Sequence, residues 1–247
     1  RRSRVHSELV CGPETLSDAE LARKRADFGT EIASHPMDDD YHRARSAKWD
    51  RIVTPLFSAA NWGGQGLHPR GNFEGFVRAA SKQKWLEAHG IEHWTHFYTD
   101  YGREQQLRFF DYFLHGKKEG WAKQPKVLLQ VRHIDKFVAR AESEWPLKRT
   151  RWTKFYLDPS AMTLTTKKPS GTAQLKFAAM SDGLTFLTAP LAKETEITGP
   201  SALKLFASSS TSDADFFIVL RVFTGDLKEI VFQGAIDIVN GARPHHN

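Results

Sequence analysis

Three histidines, His89, His93 and His96, fall within one short run, His89-Gly90-Ile91-Glu92-His93-Trp94-Thr95-His96, spaced four and three residues apart. On a helix that spacing puts all three on one face, where imidazoles can hold a zinc ion. Gly90 and the strand-favouring Ile91, Trp94 and Thr95 predict a loop instead. A histidine on a loop after a strand of an α/β sheet can take a proton from a serine brought in by an earlier strand. Histidines in such a loop can also do no more than hydrogen-bond their neighbours, and spacing alone leaves these readings open. Asp38, Asp39 and Asp40 with His42 match no cation-binding loop and read as a solvated acidic turn. No serine lies in a Gly-x-Ser-x-Gly elbow; Ser170 precedes Gly171 but follows Pro169, in a stretch that reads as a turn.

The elements that must position the histidines alternate strand and helix. Residues 52–60 predict a short buried strand that breaks at the glycine-rich turn Asn61-Trp62-Gly63-Gly64-Gln65-Gly66. Residues 73–80 then read as a helix, 84–88 as the next strand, and 103–114 as a helix carrying Leu107, Phe110 and Leu114. Strand, loop and helix repeated twice predict a parallel α/β sheet whose functional edge holds both loops.

Two further stretches flank this one. Before it, Ser17 with Glu20 three residues later forms a capping signature, and Leu16, Leu21, Phe28 and Ile32 continue a helix that His35-Pro36 ends. After it, residues 127–132, 153–157, 203–207 and 215–223 read as strands, separated by turns such as Lys168-Pro169-Ser170-Gly171 and Thr224-Gly225-Asp226. That pattern predicts a β-sandwich or jelly roll. The fold class is therefore α/β plus all-β, with a boundary near residues 116–125.

Composition narrows the partners. The chain has 247 residues and a formal charge of +6, with basic residues scattered among acids apart from Lys148, Arg149 and Arg151. Nucleic-acid binders concentrate such charge on one face, so no nucleic-acid partner is expected. No run is long and apolar enough to span a membrane, and no apolar segment of the kind found in secretory signals follows Arg1 and Arg2. The single cysteine, Cys11, cannot form an internal disulfide, which fits a cytoplasmic setting.

Longer segments carry a resemblance. Residues 58–75, from Ser58 through Asn61-Trp62-Gly63-Gly64 to Gly75, resemble the acid-loop region of CocE/NonD-type hydrolases, the cocaine-esterase and X-prolyl dipeptidyl-peptidase-like family. Residues 84–96 resemble the family's histidine-bearing segment, and 108–114 the helix that leaves its catalytic domain. Thr188-Ala189-Pro190-Leu191, Glu196-Ile197-Thr198-Gly199-Pro200 and Thr211-Ser212-Asp213-Ala214-Asp215-Phe216 resemble its C-terminal jelly roll.

The resemblance implies the C-terminal part of an α/β-hydrolase sheet over residues 50–120. It also implies a helical cap remnant over 1–49 and a truncated jelly-roll β-sandwich over 121–247. It implies hydrolysis of a small-molecule ester or amide through Ser, His and Asp, with neither cofactor nor metal. Trp94-Thr95-His96 matches the end of the family's Gly-Pro-Trp-x-His-like segment, so His96 inherits the general-base role. Glu92-His93 replaces the Gly-Pro and leaves His93 as a second candidate. The family's acid position falls on Gly64, which cannot orient an imidazole; Glu74 and Asp100 are the nearby carboxylates. The nucleophile is expected upstream of Arg1, so this chain alone is expected to be inactive. The alternative is a non-catalytic binding module whose jelly roll holds a carbohydrate or a partner.

Overall fold

Sequence signals for helix ends are realised closely in the first part of the chain. The computed structural model describes residues 15–62, 68–90, 93–230, 234–237 and 241–244. The chain divides into two compact units, Arg1–Lys48 and Trp49–Asn247. Cys11 lies outside the described residues.

In the first unit, helices α1 (Asp18–Lys24), α2 (Phe28–Ser34) and α3 (Asp40–Arg45) follow one another. Ser17 and Glu20 form the reciprocal cap at the start of α1. The single helix expected here is broken in two, because Asp27 accepts a hydrogen bond from Thr30 N at 3.2 Å and starts a second helix. The acidic run is also more than a turn: Asp39 accepts from Tyr41 N at 2.9 Å and caps α3. Asp39 also lies 2.6 Å from His35 Nδ1, and the His35 ring stacks on Tyr41 at 4.2 Å.

The second unit holds a four-stranded mixed sheet: β1 (Leu56–Asn61), β2 (Lys84–His89), β3 (Val127–Arg132) and β4 (Phe137–Glu142) lie side by side in that order. β1, β2 and β3 are parallel, and β4 returns antiparallel to β3. Parallel neighbours need crossovers. Helix α4 (Pro69–Arg78) supplies the first, and α5 (His93–Tyr98) with α6 (Asp100–Leu114) the second. Residues 127–132, read from their pattern as the first strand of the β-rich stretch, instead pair with β2. Val127 and Leu129, two residues apart and therefore on one face of the strand, are fully buried there.

Strand alternation sorts the core into two layers. Leu86 and Ala88 face one side, joining Ala60, Phe76, Val127, Leu129, Trp145 and Leu147. Phe57 and Trp85 face the other, where Trp121, Phe109 and Phe113 pack edge-on or tilted at ring distances of 4.8–6.1 Å. Each large apolar side chain buried this way contributes about 1.5–3 kcal/mol.

Beyond β4 the ladders are short. β5 (Tyr156–Asp158) pairs with β6 (Thr163–Thr165), and β7 (Gly234–Asp237) with β8 (Gly241–Pro244), both antiparallel. The strands expected over 203–207 and 215–223 are not formed; only the isolated bridge Phe223–Glu229 touches them. Strand-favouring composition needs a neighbouring strand to accept its hydrogen bonds, and these segments have none among the described residues. Among the described residues, no helix is long and apolar enough to cross a membrane.

Candidate active site

β2 carries the site. Its alternation puts Trp85, Glu87 and His89 on the face covered by α6, and every residue from Trp85 to His89 is buried. Glu87 is 1% exposed, so its carboxylate requires partners. It has two: His96 Nε2 lies 2.9 Å from Oε1, and the Tyr101 hydroxyl donates to Oε2 at 3.0 Å. The His89 ring stacks on the His96 ring with centroids 3.7 Å apart and planes 18° from parallel. Glu87, His96, His89 and Tyr101 thus form one cluster at the carboxyl end of β2.

The backbone around the cluster is equally constrained. Asn61, at the carboxyl end of β1, is paired in register with His89, and Trp62 N donates to His89 O at 3.0 Å. Gly90 N donates to Gln130 Oε1, and Trp62 Nε1 to Gln130 O, each at 2.8 Å, tying both strand ends to β3. Thr99 closes α5 by donating from Oγ1 to His96 O at 2.8 Å, and caps α6 by accepting from Gly102 N at 3.1 Å. A Cβ on Gly102 would stand 2.1 Å from His96 O, so only glycine lets α6 approach this closely.

Burial and the Glu87 charge push the Tyr101 phenol well above its ordinary range, which keeps it a neutral donor. A buried carboxylate hydrogen-bonded to a buried imidazole fixes the orientation of the ring.

His96 is not on a loop, as its neighbours' propensities predict; it lies in the short helix α5, 7% exposed. Propensity differences of at most about 0.7 kcal/mol per residue are overridden here by the Glu87 contact and the Thr99 hydrogen bond. The helix still starts just past the carboxyl end of β2, the edge expected of a functional histidine. The arrangement of all three histidines on one helix face is not formed, since His89 belongs to a strand and His96 to a helix. The side chain of His93 and the acid position Gly64 lie outside the described residues.

Glu74 and Asp100 do not reach His96; each is exposed and faces an arginine on its own helix, Arg78 at 3.8 Å and Arg103 at 3.1 Å. The carboxylate that does reach it, Glu87, is missed by reading the strand for its apolar residues alone. Its signal is a lone acid inside Trp85-Leu86-Glu87-Ala88, on a strand whose burial forbids an unpaired charge. Ser170 is exposed in a bend after β6.

Comparison with known proteins agrees with this architecture. Residues 119–241 match the family described as the X-Pro dipeptidyl-peptidase C-terminal non-catalytic domain. The chain is 29% identical to a cocaine esterase from Rhodococcus sp. (strain MB1 Bresler), covering 44% of this chain and 25% of the esterase. Two crystal structures of a CocE/NonD family hydrolase from Staphylococcus aureus are 37% identical to it, with a TM-score of 0.56. They cover 59% of this chain and 27% or 26% of theirs. The chain thus spans about a quarter of the length of the relatives it matches.

Proposed function

We propose that this chain, which is similar to CocE/NonD-type hydrolases, supplies the general base of a serine-dependent cleavage of ester or amide acyl bonds. In this reading the sheet β1–β4, from residue 50 to Glu142, is the C-terminal part of an α/β-hydrolase sheet, 1–49 belong to a cap, and the jelly roll lies after β4. The parallel β1–β2–β3 arrangement and the family match over 119–241 support it. The observation that carries the function is the buried His96–Glu87 contact at the carboxyl end of a parallel strand.

The nucleophile is a serine outside this chain. As its oxygen bonds to the substrate carbonyl carbon, its proton passes to His96. His96 returns that proton to the leaving group, and water repeats the sequence on the acyl-enzyme.

The test uses a protein carrying this chain together with its nucleophile, assayed with an activated ester. His96→Ala is expected to lower turnover on the order of 10⁴-fold with little change in substrate affinity. His93→Ala is expected to cost only about tenfold. Near-normal turnover in His96→Ala removes the assignment.

His89 supports a second reading, because it ends β2 and stacks directly on His96. Loss of turnover in His89→Ala with His96→Ala active would move the base to His89. A non-catalytic binding module is favoured by the missing carboxylate at the acid position Gly64 and by the description of the family matched over 119–241. Ester turnover and labelling by a fluorophosphonate serine probe count against it, and absence of both counts for it.

A further inference from the structure

Backbone pairing between β2 and β3 runs from Leu86–Val127 to Ala88–Leu129 and goes no further, although β2 continues to His89 and β3 to Arg132. Past that point a side chain takes over: Gly90 N donates to Gln130 Oε1 at 2.8 Å. The backbone of the same residue holds the end of β1, since Gln130 O accepts from Trp62 Nε1 at 2.8 Å. Phe137, the first residue of β4, covers the same point. A Cβ on Gly90 would stand 2.4–2.5 Å from three atoms of the Phe137 ring, so the ring rests directly on the backbone where β2 ends. Arg132, paired with Phe137 across the β3–β4 ladder, lies over that ring at 5.1 Å. We propose that Gln130 and Phe137 are positioning residues: the β3–β4 hairpin fixes where the chain leaves β2 and therefore where the histidine-bearing helix α5 begins. Both residues lie in the region matched to a family described as non-catalytic, so a role in holding the site goes beyond that description. The inference rests on the general-base reading above for its catalytic meaning.

The physical case is one of reach. Gly90 is buried, so its N–H requires an acceptor, and the acceptor it has is a side chain and not a strand. The place of Gly90 therefore depends on the rotamer of Gln130. Only two residues separate Gly90 from α5, a tether too short to absorb a displacement at its start. Misplacing a reacting group by about 1 Å costs on the order of 10²-fold in rate. Glycine is the matching half of the device, because a residue without a Cβ lets an aromatic ring sit on the main chain. No bond or proton changes hands at Gln130 or Phe137; both act through the segment they hold.

The test swaps size and acceptor in a protein carrying this chain together with its nucleophile, assayed with an activated ester. Histidine side-chain NMR spectra of the full 247-residue chain run alongside, with the His89 and His96 signals identified by their loss in His89→Gln and His96→Gln. Gly90→Ala is expected to lower kcat on the order of 10- to 10²-fold with KM nearly unchanged, and to shift the His96 signals. Adding Phe137→Ala is expected to recover most of that loss, since it removes the ring atoms the new methyl would meet. Gln130→Leu loses the acceptor and is expected to lower kcat about tenfold; Gln130→Glu keeps an acceptor and is expected to restore most of it. Thermal melts separate loss of fold from loss of position. Lowered stability with unchanged kcat in the folded fraction of Gly90→Ala and Gln130→Leu overturns the proposal. So does a double variant no more active than Gly90→Ala alone. Full turnover in His96→Ala removes the base reading; shifted His89 and His96 signals in Gly90→Ala and Gln130→Leu then leave the hairpin assignment standing, and unshifted signals remove it too.

Discussion

Tyr101 reports on the charge of its neighbour. Burial is the first cause of its raised pKa and the Glu87 carboxylate the second, so neutralising Glu87 removes one cause and leaves the other. Glu87→Gln is therefore expected to let Tyr101 ionise at lower pH, though still above the ordinary value of about 10, as followed by ultraviolet absorbance titration. The same shift sets a sign for stability. A group whose pKa is raised on folding contributes stability that is complete below its unfolded pKa and declines as pH rises through the folded one. The chain should lose stability as pH climbs above about 10, and Tyr101→Phe should flatten that loss in urea titrations. An unchanged alkaline slope in Tyr101→Phe would mean that other groups carry it. Glu87 shows why such residues escape a sequence reading: its chemistry depends on which side chain nine residues later turns back onto it.

At the scale of elements, α6 and α5 are locked through Gly102. Because a methyl there would stand 2.1 Å from the His96 carbonyl oxygen, Gly102→Ala must move α6 or distort α5. The expected cost is about 1–3 kcal/mol in chemical denaturation, the range for forced overpacking. A spectral change at His96 should accompany it, and a neutral substitution would show that the two helices are not tightly packed. The sequence predicts β1, α4, β2 and α6 in the observed order from their apolar periods, with β2 placed to within one residue and the starts of β1 and α4 displaced by four residues each. α5 is not legible, since six residues containing Trp94 and Thr95 have no helical preference of their own.

Across the whole chain, exposed apolar surface is the dominant feature of residues 150–230. Phe206 and Phe217 are 94% and 91% exposed, and Leu203, Leu205, Ile218, Val219 and Leu220 are exposed beside them in sequence. β1 is also an edge strand of the four-stranded sheet, and its outer backbone groups are a template for pairing. Apolar surface of this kind drives association in water. The isolated chain is expected to self-associate in a concentration-dependent way, giving masses above its 28.1 kDa in size-exclusion chromatography with light scattering. Phe206→Ser with Phe217→Ser should reduce the association. A monodisperse monomer across the concentration range would contradict it.

What the sequence by itself determined is the alternation of strand and helix over 51–120 and the family resemblance spread along the chain. Both are written in local periodicity and ordered segments, which need no knowledge of distant contacts. Tertiary structure alone decided three things. It assigned residues 127–132 to the sheet of β2, because only the three-dimensional slot beside a doubly buried strand distinguishes one apolar run from another. It left 203–207 and 215–223 without ladders, because a strand exists only with a neighbour to accept its hydrogen bonds. And it brought Glu87, His89, His96 and Tyr101 together, because a side chain's partners are chosen by how helices pack across a sheet and not by its place in the chain.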